Sequence, residues 1–317
     1  MDDKLNPDQI FNKTMGFICM KALVHIGALV ISIIAMKILS AVFGGSIGII
    51  GALIWIIITV GVAFGLDFFV GYKFKAGHVA VVTDAVSAGM IPDDMNAMAK
   101  ESVTYRFPSC NEYLAYSMAV KGAMAQLQKK LNTFAERKMN KPVLGQLISF
   151  AQIFIGMSLS FSYDLVLFYT FFRDGKPLYT SAAEGVAIYY YCWKRIIENV
   201  MFLAIEVIAI MAIVFFVFFA FGAPIFTTAF ANDALAGGLC AAGVAYFVCN
   251  TVKVFLDSRF MIRALFPFFE EARYAEITDE EYQIACRDSA KYDKLYRKAM
   301  SEPQSAPAPM QQDQGGY

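Results

Sequence analysis

Residues 199–222 read NVMFLAIEVIAIMAIVFFVFFAFG and hold a single ionisable group, Glu206. An apolar run of this length marks a membrane span, because about 20 residues of helix cross the hydrocarbon layer. Lipid is therefore the solvent in which the rest of the chain is read. Glu206 sits about two helical turns inside the end that follows Lys194 and Arg195, by the 3.6-residue repeat. An isolated charge at membrane depth costs about 3 kcal/mol unless it is paired or reaches an interface, so Glu206 calls for a partner.

Outward from this span, residues 223–234 hold Asp233 and no Lys or Arg, as an outer loop should. A further span covers 235–256 and carries Lys253; Asp257, Arg259, Arg263, Glu270, Glu271 and Arg273 mark its return to the cytoplasm. On the other side, residues 179–199 set Tyr189, Tyr190, Tyr191 and Trp193 beside Lys194 and Arg195, the composition of a helix at the membrane interface. The first 71 residues supply an earlier hairpin. A short interfacial helix capped by Asn6 with Pro7 at its first position leads into a span over 15–43, which carries Lys21, His25 and Lys37. The uncharged turn Gly44, Gly45, Ser46 follows, then a span over 47–71 that carries Asp67. The first apolar run is too long for a signal peptide and lacks a basic leader, so it is read as retained. The Gly44/Gly48 and Gly61/Gly65 spacings are read as close helix packing within the chain.

The composition agrees with this reading. The chain has 317 residues, of which 58% are hydrophobic and 15% aromatic, and its formal net charge is zero. That balance points to a small polytopic membrane protein and gives no field for nucleic acid. Six scattered cysteines without CxxC spacing define neither a disulfide framework nor a zinc site. There is no Walker loop, HExxH or GxSxG, and the two histidines lack ligand-spaced neighbours, so neither an enzyme nor a metal or other cofactor is expected.

Residues 72–142 change to a Lys- and Arg-rich, water-facing helical segment, cytoplasmic by the positive-inside rule, and both termini follow it to that side. Within it, GHVAVVTDAVSAG reads as an amphipathic helix stopped at Gly89 before Pro92. A second helix over 111–138 aligns Leu114, Met118, Met124, Leu127, Leu131 and Phe134. Residues 143–177 return to apolar character, interrupted by Gln146, Gln152, Gly156, Ser158, Ser162 and Asp164 and flanked by basic residues at both ends. A re-entrant or interfacial segment is expected there, and it is the best lining element for a wet cavity, together with Asp257. The second hairpin with its interfacial helix occupies 178–267, and an amphipathic, tyrosine-rich cytoplasmic helix lies within 268–300, running from 279. The proline- and glutamine-rich tail 301–317 is expected to be disordered. The fold class is thus an all-α membrane bundle with two hairpins, four spans, one membrane-embedded segment and cytoplasmic amphipathic helices.

The runs YKFKAGHVAVVTDAVSAGMIP (72–92), SAAEGVAIYYYCWKRIIEN (181–199) and FLDSRFMIRALFPFFEE (255–271) resemble a group of bacterial polytopic membrane proteins of uncharacterised function. The second half, an interfacial helix, a span, an outer loop and a span ending in Asp-Ser, is more remotely similar to the last helices of choline-transporter-like proteins. The first resemblance implies a bacterial inner-membrane location and the second a transport role, and the second carries no binding residue position by position. Lys21 with Asp67 and Glu206 with Lys253 lie at matched depths, one acid and one base in each hairpin. They read either as clips between antiparallel helices or as a gated polar path. Two functions follow: a small-solute or ion transporter or channel component working as an oligomer, or a non-catalytic scaffold whose cytoplasmic helices bind a protein partner or the bilayer.

Overall fold

The computed structural model describes residues 6–42, 48–138, 162–229 and 234–303, and every regular element among them is a helix. In chain order these are α1 (Pro7–Lys13), α2 (Met15–Val42), α3 (Gly48–Leu66), α4 (Tyr72–Ala88), α5 (Met95–Arg106), α6 (Cys110–Lys138), α7 (162–172), α8 (Leu178–Ala229), α9 (Ala234–Tyr274), α10 (Asp279–Asp288) and α11 (Ala290–Ser301). Four stretches are long and apolar enough to cross a membrane: Met15–Val42, Ile49–Ala88, Ile205–Thr228 and Ala234–Tyr274. The fold is an all-α helical membrane bundle.

The chain divides into two units, one from Met1–His78 and Val200–Arg263, the other from Val79–Asn199 and Ala264–Tyr317. In the first, apolar unit, Trp55 of α3 anchors the packing. It is fully buried among Ala52, Ala236 and Cys240, with Met36, Leu39 and Phe226 against the cluster. Its indole N–H donates to the Ser32 carbonyl at 2.7 Å, so the one polar atom of the ring is satisfied away from water. Glycines let the helices of this unit close up. A Cβ on Gly237 would lie 2.5 Å from the Thr227 backbone, and one on Gly243 would lie 2.8 Å from the Trp55 ring. Gly61 and Gly65, by contrast, face open space, so their spacing does not mark packing within the chain as expected.

The helix read as ending at Gly71 continues. A π-helical turn, Asp67–Gly71, joins α3 to α4 without a break. Helix α4 ends where Gly89 takes a φ of +74°, as its sequence position and Pro92 suggested. It is not amphipathic: residues 76–83 are buried on every side. Apart from His78 the run is Ala, Val, Gly and Thr, small enough to be surrounded, and a helix that is largely apolar all round belongs inside a core.

The second, polar unit is built around α7 and the first turns of α8. Tyr163, Leu165, Val166, Leu167 and Phe168 of α7 are wholly buried, as are Ala182, Val186 and Ala187 of α8. Around them lie α5, capped by Asp94 accepting from the Ala97 amide at 3.0 Å, and α6, whose buried stripe is Tyr116, Val120, Ala123, Met124 and Leu127. Helix α5 escaped the sequence reading; of the stripe expected on α6, Met124 and Leu127 are buried, while Met118 is 66% exposed. The expected single helix over 279–300 is two. Ser289 is extended, and its hydroxyl accepts from the Tyr292 amide to start α11 while donating to Gln126 at 2.9 Å.

The described end of the segment expected to re-enter or line the membrane is thus the core helix α7 of the polar unit. Ser162 there is fully buried and accepts from Gln128 at 3.1 Å, and Asp164 is 7% exposed. Gln146, Gln152 and Ser158 lie outside the described residues.

Candidate functional site: charged groups on the apolar helices

The charges that the sequence places at membrane depth converge at one part of the apolar unit. On α2, Lys21 and His25 are one turn apart and both half-buried. On the π-turn after α3, the Asp67 carboxylate packs on Gly71, where any Cβ would collide with Oδ1. That close approach is available only because residue 71 is glycine. On α9, Lys253 sits on the same face as Asp257. Helix α2 touches the π-turn, and Val254 of α9 packs on Ile18 and Ala22 of α2, so Lys21, His25, Asp67 and Lys253 lie on elements that pack together.

The expected pairing of Glu206 with Lys253 is corrected by the structure. Lys253 Nζ bonds Asp257 Oδ2 at 2.7 Å, one turn along its own helix, and each side chain is 29% exposed. The i,i+4 neighbour on the same helix is always within reach, whereas a partner on another helix needs matched rotation as well as matched depth. Asp257, expected to line a cavity, is accordingly an ion-pair partner. Glu206 finds Arg259 instead, with Nη1 at 4.0 Å from Oε1. Arg259 also approaches Asp8 of α1 at 3.8 Å, and Arg263 reaches the same carboxylate at 3.2 Å. Asp8, Arg259 and Arg263 were not singled out as site residues. Their signal was available: Arg259 and Arg263 repeat the four-residue spacing of Lys253 and Asp257, and Asp8 lies in the first turn of α1.

Helix α1 is held where it can supply Asp8. A capping box closes it, with Asn6 accepting from Asp8 N and Gln9 Oε1 accepting from Asn6 N at 3.0 Å. Ile18, Ala22 and Val254 form a buried cluster against which Phe11 of α1 packs. At the α1–α2 junction Thr14 donates to the Ile10 carbonyl at 2.8 Å, and its hydroxyl shares a hydrogen bond of 3.0 Å with His78 Nε2. His78 is buried and stacks on Phe17 with ring centroids 6.3 Å apart. The contact between the imidazole and the Thr14 hydroxyl ties α4 to the start of α2.

The polar unit uses its buried charge differently. Arg106, 8% exposed, donates to the carbonyls of Lys176 at 2.8 Å and Thr170 at 2.7 Å and also to that of Arg173, closing the carbonyl end of α7. Burial pushes its guanidinium down from the ordinary value, and Asp174 acts against that shift. Glu302 caps the start of α8 by accepting from Tyr179 N at 2.8 Å and Thr180 N at 3.2 Å. Burial pushes the Cys192 thiol up to about 11, with Glu271 adding to the effect, so it is a poor nucleophile. No group of three metal-ligating side chains occurs among the described residues.

The class this defines is a membrane protein with four apolar helices and a cluster of ionisable side chains on them. Comparison with protein-family models, with curated proteins and with solved structures finds no match to the chain.

Proposed function

We propose that the protein is a transport component of the bacterial cytoplasmic membrane that passes a small ion or solute, with residues 72–142 and both termini on the cytoplasmic side. The observation that carries this reading is that Lys21, His25, Asp67 and Lys253 lie on packed elements of the apolar unit. Ionisable groups at membrane depth are expensive, and they occur chiefly where they serve a pathway or hold one another. A simple clip needs one acid and one base; a histidine and charges of both signs on packed apolar helices are the composition that loads and releases an ion. The remote similarity to choline-transporter-like proteins supports the same reading. Four spans enclose little volume, so a homo-oligomer is part of the proposal.

The test is flux. Purified protein in liposomes is given a pH or potassium gradient and followed with an entrapped dye. The parent should dissipate the gradient, and Asp67→Asn and His25→Gln should abolish that flux without lowering the melting temperature. A cysteine placed at exposed Glu112 should stay unlabelled by an impermeant reagent added to intact cells. A parent that moves no ion would favour the second reading, a non-catalytic scaffold. The observation behind that alternative is the ladder Glu206, Arg259, Asp8 and Arg263, in which acid and base alternate across α8, α9 and α1 as in a structural brace.

A further inference from the structure

The polar unit contains a cavity of about 270 Å3 where the turn after α7 and the first turns of α8 face the link from α9 to α10. Its charged groups are Arg173, Lys176, Glu184 and Glu276, and its apolar wall includes Tyr169, Ile188 and Tyr282. Two of these charges are already committed. Glu184 receives Lys176 Nζ at 2.7 and 2.8 Å and the Tyr169 hydroxyl at 3.0 Å. Burial, then the Glu184 charge, pushes the Tyr169 hydroxyl up to about 12, so it stays protonated as the donor in that contact.

The other two charges are not committed. Arg173 donates through Nε to the Tyr169 oxygen at 3.3 Å, and its plane lies 5.2 Å from the Phe172 ring centre. These contacts fix the fork, and its two terminal nitrogens have no partner among the described residues. A guanidinium held by its Nε with a free end is the arrangement that takes a carboxylate in bidentate fashion. Glu276 is exposed and engages no cation among the described residues. The cavity therefore offers one cationic fork, one carboxylate and an apolar wall. Its volume is below the roughly 300 Å3 at which pockets for drug-sized ligands begin.

We propose that this cavity binds a small zwitterion with an apolar body, of the size of a free amino acid, its carboxylate on Arg173 and its ammonium toward Glu276. The proposal does not depend on the transport reading, since none of these residues belongs to the apolar unit.

Three probes that share one ring separate the contributions: L-phenylalanine, phenylacetate, which lacks the ammonium, and phenethylamine, which lacks the carboxylate. Titrated calorimetrically into the full-length protein in detergent, phenylalanine should bind at least tenfold more tightly than either partial analogue. Arg173→Gln should remove its advantage over phenethylamine, and Glu276→Gln its advantage over phenylacetate. Glu276 is exposed and unpaired, so its exchange leaves the fold intact; Arg173→Lys keeps the charge without the fork and should recover only part of the loss. Equal affinity for all three probes, no binding of any, or affinities unmoved by both exchanges would overturn the assignment.

Discussion

Helix α7, with LVLF at its centre, and the apolar run of α8 both hold consecutive large hydrophobic residues, and their surroundings are opposite. Leu165, Val166, Leu167 and Phe168 of α7 have no exposed surface, whereas only 6% of the most apolar window within Ile205–Thr228 is buried. Ile213, Phe216 and Phe221 of that run are 63%, 68% and 73% exposed. One helix dissolves in protein and the other in lipid. Hydropathy reports only that water is excluded, and it is silent on what excludes it.

The largest expected effect tests this contrast directly. Phe168→Ala removes a buried ring that packs edge-on against Phe268 and Phe269 and should cost about 3–5 kcal/mol. Phe216→Ala removes a ring exposed to lipid and should cost below about 1 kcal/mol, as for surface sites with few protein neighbours. Denaturant titration in mild detergent measures both. Equal costs would mean that the α8 run is covered by protein, most simply another copy of the chain.

The same contrast explains what could be read in advance. The four apolar helices and the fold class were legible because each span outlasts any ordinary core helix. The cap at Asn6 and the stop at Gly89 were legible because each needs only local chemistry, a side-chain acceptor or a positive φ. Ser162 and Asp164, expected in a membrane-lining segment, lie in a buried helix, and a helix buried all round and a helix at a membrane surface share one composition. Helix α5 was missed although its signal was printed in the chain: Asp94 precedes MNAMAKESVTYR, which is rich in helix formers but only weakly amphipathic. Depth along a span fixed which charges could meet, but not rotation about the helix axis, so Glu206 was assigned the wrong base.

A second prediction sharpens the contrast within the apolar unit, where most surface is exposed and the few interior contacts should dominate stability. Gly237→Leu drives a side chain into the Thr227 backbone, which has no rotamer to yield. It should cost about 1–3 kcal/mol or more, as overpacking does. Gly61→Leu, at a position with nothing within 4 Å of a Cβ, should be neutral. If Gly61→Leu instead changed the oligomer seen by crosslinking while leaving the melting temperature alone, that face would be an interface between copies.

Trp55→Phe should have a smaller effect. The ring volume is largely kept, and what is lost is the indole N–H donated to the Ser32 carbonyl. That carbonyl can still accept from its own helix, so the cost should be about 1–2 kcal/mol, the range for removing one buried hydrogen-bond partner together with some volume. A cost near zero would mean that packing alone holds α3 against α2.

The smallest effect is expected at Glu206, the residue with which the reading of the chain began. Its carboxylate is half exposed and its only cation within 4.0 Å among the described residues, Arg259, sits at that limit while also approaching Asp8. A pair so long and so open contributes about 0–1 kcal/mol. Glu206→Gln should therefore leave the melting temperature nearly unchanged, because Arg259 keeps Asp8. Asp257→Asn is the informative partner experiment, since it removes the 2.7 Å partner of Lys253 and leaves a partly buried ammonium to find another. It should cost more than Glu206→Gln, and the double exchange Lys253→Gln with Asp257→Asn should recover much of that loss. Were Glu206→Gln the costlier change, Glu206 would be facing lipid rather than the aqueous interface, and the ladder through Arg259 would be holding the helices together.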